Sequence, residues 1–531
     1  MNGRLPLVAL AGLIAFLVAA PVVALGWIAL HASEADALAH LLQTVLPRYA
    51  LNSLMLTALV AGLVTVLGVG TGWLVAAYTF PGRRWLEVAL VLPLAMPAFV
   101  MAYAYTDVLD TSGPVQTWLR ALTGRTIAEP VLPPIRSLPG AALLLGLALY
   151  PYVYMLARNA FADRNASLIE AARVLGQSPS RVWWRVTWPV ARPAIVAGLT
   201  LVVMETLADF GTVSFFAVDT FASGIYRAWQ GLGDRVTAAR LAVVLLGLVW
   251  VLVWVERQQR GRMAFFSRGG RRVPPQPLQG VSAWAASVAC LIPVLLGFAV
   301  PALLLARVAF LQGDGPDPRL LQWGLNTALL AACAVTAVLP LALGLAYAVR
   351  LTAGRLVPVL AALASSGYAV PGVVLAVGLL TLVGAVDRSA GALGVDRLLL
   401  GGTAVAVVYA YCVRFFAVAQ QGIDAALRRI SPSMDASART LGSGHWETLR
   451  RVHVPLLKSS LATAALLVFV DCLKELPATL ILRPFDLDTL AVVAYQFAAD
   501  ERLGEAALPS LAIVMVSLVP VIWLARSVRR S

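Results

Sequence analysis

Apolar residues run along this chain in long, nearly unbroken blocks, and short polar connections rich in arginine separate them. A helix needs about twenty apolar residues to cross hydrocarbon, because every backbone polar group must be satisfied inside the segment. Twelve blocks meet that length, centred near 5–30, 54–79, 86–107, 140–158, 195–217, 237–255, 282–309, 326–349, 356–385, 401–419, 460–482 and 508–525. The pattern therefore predicts an all-α polytopic membrane protein with about 12 transmembrane helices. The first block is too long for a signal-peptide core and lacks a convincing cleavage site, so it reads as a spanning helix that stays attached.

Composition supports this reading. The 531 residues are 60% hydrophobic and 13% charged, with mean hydropathy +0.82, whereas an ordinary soluble chain carries about 25% charged residues. Cys290, Cys333, Cys412 and Cys472 each sit inside an apolar stretch, which argues against a disulfide scaffold or a zinc cluster. Four scattered histidines argue against a soluble metalloenzyme, and no metal ligands are assigned.

The formal charge of +14 would suggest nucleic acid in a soluble domain. Here the arginines gather in connections between blocks, as expected of inward-facing loops, and no nucleic-acid partner is expected. Arg83 and Arg84 follow the second block, six arginines between Arg257 and Arg272 follow the sixth, and Arg526, Arg529 and Arg530 close the chain. These fall on one side if both termini are cytoplasmic. The connections His31 to Arg48, 109–139 and Leu311 to Arg319 then lie outside; the second carries Pro130, Pro133 and Pro134.

The chain also repeats itself. At a constant offset of 266, Ala172, Arg173, Leu175, Gly176, Arg185, Val186 and Pro189 recur as Ala438, Arg439, Leu441, Gly442, Arg451, Val452 and Pro455. Weaker similarities pair "MPAF" at Met96 with "VPGV" at Val370, "YPY" at Tyr150 with "YAY" at Tyr409, and "ETLADF" at Glu205 with "ELPATL" at Glu475. Two homologous six-helix halves follow, 1–256 and 281–531. The Gly-, Pro- and Arg-rich stretch 257–280 is their expected cytoplasmic linker.

Each repeated segment, about 160–195 and about 420–459, combines a helix-forming stretch, a glycine able to end it, a second amphipathic stretch and a proline before the next span. Ser178 or Ser180 is placed to cap the second helix, with Pro179 at its start. Trp183, Trp184 and Trp188 are placed to meet a partner or the headgroup layer. The bland alternative is an amphipathic helix resting in the interface.

Glu170, Ala171, Ala172, Gly176 and Pro189, matched by Ser437, Ala438, Gly442 and Pro455, resemble the signature loop of binding-protein-dependent ABC importer permeases. The resemblance implies the type I (MetI-like) importer fold and a loop that enters a cleft of a cytoplasmic ATPase. The second copy departs from the pattern: Ala436 stands at the acidic position, with Asp435 beside it. Within this family "METLADFGTVSFF" and "LKELPATLILRP" are similar to the ferric-iron class of fused permease, with thiamine, phosphonate and related solutes as alternatives.

The resemblance implies two copies of an ATPase subunit, an extracytoplasmic binding protein that sets selectivity, membrane lipid around the chain, and the bacterial inner membrane as location. No "GxxxxGK[ST]" loop is present, so no enzyme activity or cofactor is expected of this chain; ATP and Mg²⁺ belong to the partner. Glu205 and Asp209, four residues apart, and Lys474 and Glu475 place charge within apolar blocks. Such groups either line a passage or hold the structure, by pairing between halves or by capping broken backbone near Gly211 and Pro477. They also keep a secondary transporter open as a more distant reading.

Overall fold

The structure, a computed structural model, describes residues 5–31, 43, 45–126, 129, 131–164, 166–261, 273–311, 315, 317–352, 354–394 and 399–530. Among these, eleven helices are long and apolar enough to cross a membrane, or twelve if the bent pair Arg83–Ala95 and Ala98–Thr123 is one span. Of the linker expected at 257–280, residues 262–272 lie outside the described residues, as do most of 32–44 and part of 312–316 in two of the expected outer connections. The remaining linker residues Gln276–Pro277 pair in parallel with Tyr78–Thr79.

Four of the expected spans are broken, and in two of them a proline leaves the residue before it extended. The helices Arg83–Ala95 and Ala98–Thr123 meet at 91° around Met96 and Pro97. A residue before proline is pushed out of the helical region, and Met96 is extended at φ −103°, ψ 104°. In the other half Val370 is extended at φ −78°, ψ 105° before Pro371, so the block 356–385 divides into Leu356–Ala369 and Gly372–Ala392. These breaks are the "MPAF" and "VPGV" segments, 274 residues apart. The register becomes 266 by the helices Leu138–Ala162 and Ala404–Leu427, and the first half carries the added amphipathic helix Pro114–Thr123 in between.

The chain forms two compact units that do not follow chain order. The amino-half unit comprises 39–224, 247–316 and 494–531; the carboxy-half unit comprises 1–38, 225–246 and 317–493. Each unit thus receives the first helix of the opposite half. In the carboxy-half unit, Leu5–His31 packs on Leu356–Ser365 and Gly372–Ala392. In the amino-half unit, Val300–Leu311 packs on Leu503–Arg530.

Proline again decides how the incoming helix is held. Pro21 has no N–H to give to the Leu17 carbonyl four residues back, and the Tyr409 hydroxyl donates to that oxygen at 2.6 Å. Pro301 likewise follows the π-turn Leu295–Ala299, and the Tyr105 hydroxyl donates to the Leu296 carbonyl at 2.6 Å. A carbonyl freed inside hydrocarbon has no water to turn to, so each tyrosine satisfies a group that proline orphaned.

Candidate functional site at the repeated loops

The first loop begins with the helix Ala166–Val174, which ends in a left-handed glycine. Gly176 has φ +74°; its amide donates to the Arg173 carbonyl at 2.9 Å, and that of Gln177 to the Ala172 carbonyl at 3.1 Å. The second loop repeats the arrangement 266 residues on. Gly442 has φ +84°, its amide donates to Arg439 at 3.0 Å and that of Ser443 to Ala438 at 3.0 Å. Both are Schellman caps, in which the residue after the helix must adopt the left-handed conformation glycine adopts at no steric cost.

The second stretch of each loop is continuous with the membrane helix: Pro179–Ala208 and His445–Leu473 are single helices. Pro189 and Pro455 therefore lie inside these helices rather than before them. Each follows a five-residue π-turn, Trp183–Thr187 and Leu449–His453, the wider winding that accommodates a residue with no amide to donate. Ser178 sits at the cap position but its hydroxyl makes no capping bond, and Pro179 occupies the first turn. Trp183 packs edge-on to Trp184 at 4.5 Å and near Trp188 at 5.5 Å, while Trp184 stays 61% exposed.

The two loop helices present different chemistry. Glu170, Ala171 and Gly176 are exposed and Ala172 is half-buried; Ala436, Ser437 and Gly442 are exposed and Ala438 is buried; Pro189 and Pro455 are exposed. Asp435 does not share the exposed face of Ala436. Its carboxylate meets Arg350 at 2.7 Å and the buried His453 at 2.6 Å, and Arg350 also donates to the Leu427 carbonyl at 2.6 Å. In the 266 register Ile169 and Thr187 replace Asp435 and His453, so this anchor exists in one loop alone. Sequence reading missed Arg350 and His453, because one lies 85 residues from Asp435 and nothing local marks either.

The intramembrane charges resolve into two matching caps. The helix Trp188–Ala208 ends before Asp209, which is extended at φ −64°, ψ 126°; Asp209 and Glu205 consequently do not share a helix face. The Asp209 carboxylate accepts from the Thr212 and Val213 amides at 3.1 Å each and from the Thr212 hydroxyl at 3.1 Å. Glu475, buried, accepts from the Ala478 and Thr479 amides at 3.1 and 3.0 Å and from the Thr479 hydroxyl at 2.7 Å. Asp209, not Glu205, is therefore the counterpart of Glu475, again 266 residues apart. Arg414 adds a guanidinium 3.5 Å from Glu475, and Lys474 pairs with Asp471 at 3.0 Å. Among the described residues no three His, Cys, Asp or Glu side chains are grouped to hold a metal ion.

Comparison with known proteins gives these loops a context. The model of the family "binding-protein-dependent transport system inner membrane component" matches twice, over residues 68–261 and 338–531. The Fe(3+)-transport system permease protein FbpB 2 of Haemophilus influenzae is 25% identical over 487 residues, covering 89% of this chain and 88% of that one. The molybdenum transport system permease protein ModB of Escherichia coli is 29% identical over 205 residues, 37% of this chain and 86% of its own. The sulfate transport system permease protein CysT of Escherichia coli is 27% identical over 226 residues, 41% of this chain and 76% of its own. With two family domains along one polytopic chain, each carrying the same capped loop, this protein belongs to the inner-membrane permeases of binding-protein-dependent ABC importers.

Proposed function

We propose that the chain is the membrane passage for ferric iron, handed over by an extracytoplasmic binding protein and driven by two copies of an ABC ATPase. The observation that carries the cargo is the end-to-end likeness to a ferric permease, covering 89% of this chain and 88% of that relative. The molybdenum and sulfate relatives match about two-fifths of the chain each, and they make an oxyanion the second reading of the cargo.

The loops supply the drive. Glu170, Ala171, Ala172 and Gly176 present one coupling surface, with Pro189 in the helix it moves; Ser437, Ala438 and Gly442 present the other, with Pro455 in its helix. ATP with Mg²⁺ is consumed on the partner, and the loops with both chain termini face the cytoplasm. Because the second stretch of each loop is continuous with a spanning helix, displacement of that stretch is passed directly to the membrane part. Asp435 serves as an anchor of its loop through Arg350 and His453, and no acid at position 435 is needed for the partner.

The test is uptake by vesicles holding the chain, its ATPase and its binding protein. ATP-dependent accumulation of radiolabelled iron, absent without the binding protein and not competed by molybdate or sulfate, is the expected result. Accumulation of molybdate or sulfate in place of iron would move the cargo to the second reading. Movement driven by an ion gradient with no ATPase present would overturn the mechanism.

A further inference from the structure

A cavity lies beside each repeated loop, one within each compact unit, and their chemistry differs. The cavity in the carboxy-half unit, about 230 Å³, is lined by Tyr347, Arg350, Asp435 and Arg439 among others. Its Arg350 is paired from within by Asp435, which also meets His453. The cavity in the amino-half unit is larger, about 430 Å³, and its lining includes Trp73, Arg164, Ile169, Arg173, Ser180 and Thr187, with no acidic residue.

The repeat explains the difference. In the 266 register Ile169 stands where Asp435 is, and Thr187 where His453 is, while Arg173 matches Arg439. Arg164 is an additional cation, and it is held in place. Its guanidinium lies 4.6 Å above the Trp73 ring and its Nε donates to the Phe161 carbonyl at 2.6 Å. Its two terminal nitrogens have no acceptor among the described residues. Burial lowers its pKa from the ordinary value. The first turn of the helix Pro179–Ala208 lines the same cavity through Pro179 and Ser180, adding amides with no intrahelical partner and the positive end of the helix dipole.

We propose that this cavity binds a phosphate-class oxyanion, gripped by the terminal nitrogens of Arg164 and by Arg173. A guanidinium fork matches two phosphate oxygens. The oxyanion can be the headgroup phosphate of an acidic phospholipid or free phosphate. Trp184, exposed beside Trp183 and Trp188, is of a residue type enriched at membrane interfaces, where basic pockets take acidic headgroups. The site goes beyond the cargo and ATPase reading and stands without it.

The test uses the purified full chain with two probes, phosphatidylglycerol in nanodiscs against pure phosphatidylcholine, and inorganic phosphate by calorimetry in detergent. Native mass measurement is expected to find one phosphatidylglycerol retained per chain, or calorimetry one phosphate bound. Phosphatidylglycerol alone identifies the lipid source, and a phosphate isotherm identifies the free ion. Binding should fall at least about tenfold in Arg164→Gln/Arg173→Gln, about 1.4 kcal/mol, and stay unchanged in Arg84→Gln, which removes an exposed arginine outside the cavity. Should the double variant fail to fold, Ile169→Asp decides instead. It keeps both arginines and supplies the acid that the other half carries as Asp435, so it should displace either probe. Neither probe binding the parent chain, or equal binding by parent and Ile169→Asp, overturns the proposal.

Discussion

A left-handed residue that touches nothing can be changed without disturbing the core, and Gly176 and Gly442 are such residues. A Cβ built on either meets no atom within 4 Å, so the cost of substitution comes from backbone conformation alone, about 1–2 kcal/mol for most side chains. Asparagine tolerates the left-handed region far better than a β-branched residue does. Gly176→Val and Gly442→Val should therefore uncouple ATP hydrolysis from uptake while the chain still inserts and purifies, and Gly176→Asn should retain most coupling. Equal activity of the valine and parent chains in vesicles would remove the loop cap from the mechanism. Asp435 behaves oppositely, since its partners Arg350 and His453 are buried or nearly so. Removing one member of a buried charge network costs about 3 kcal/mol, so Asp435→Asn should lower the unfolding midpoint clearly.

Between residue and molecule, the helices carry their own signals, and proline writes most of them. Met96–Pro97 and Val370–Pro371 carry a readable bias toward a break, because the helical region is disfavoured before proline, but Pro21, Pro151 and Pro340 sit inside continuous helices, so the bias alone does not mark which proline breaks a span. The capped loops were legible: glycine, proline and the polar positions recur without a gap at 266, and the hydrogen bonds recur with them. The partner of a freed carbonyl was not legible. Pro21 announces that Leu17 needs a donor, but the donor is Tyr409, 392 residues away, and only packing chooses it. The same limit misaligned Glu205 with Glu475, since hydrophobic neighbours offer many similar registers; the capping bonds of Asp209 settle the match. Tyr409→Phe and Tyr105→Phe should each cost about 1 kcal/mol, the scale of a hydrogen bond between helices in a membrane. Steric-trapping or thermal unfolding in detergent measures it, and no loss in either variant would show that the freed carbonyls find other donors.

At the scale of the molecule, gene-fused halves invite the assumption that two ATPase copies meet two equivalent faces. The family domains at 68–261 and 338–531 are equivalent in fold, yet their loops are not equivalent in charge. Glu170 is exposed on the first loop, whereas the matching position of the second is exposed Ala436 and its neighbouring acid is turned to Arg350. A carboxylate that meets a basic group across an interface contributes about 1.5–3 kcal/mol as a charge-assisted hydrogen bond. If the partner is two identical ATPase subunits, as proposed above, they should dock with unequal strength, the first loop holding the tighter one. Glu170→Ala is then expected to weaken ATPase association about tenfold or more and to cut ATP-driven uptake, while Ala436→Glu should strengthen association at the second loop. Titration of the ATPase against nanodisc-held chain, with native mass to count one or two copies bound, reads both effects. A single population of bound subunits, unmoved by either substitution, would mean that the acidic position does not enter the contact.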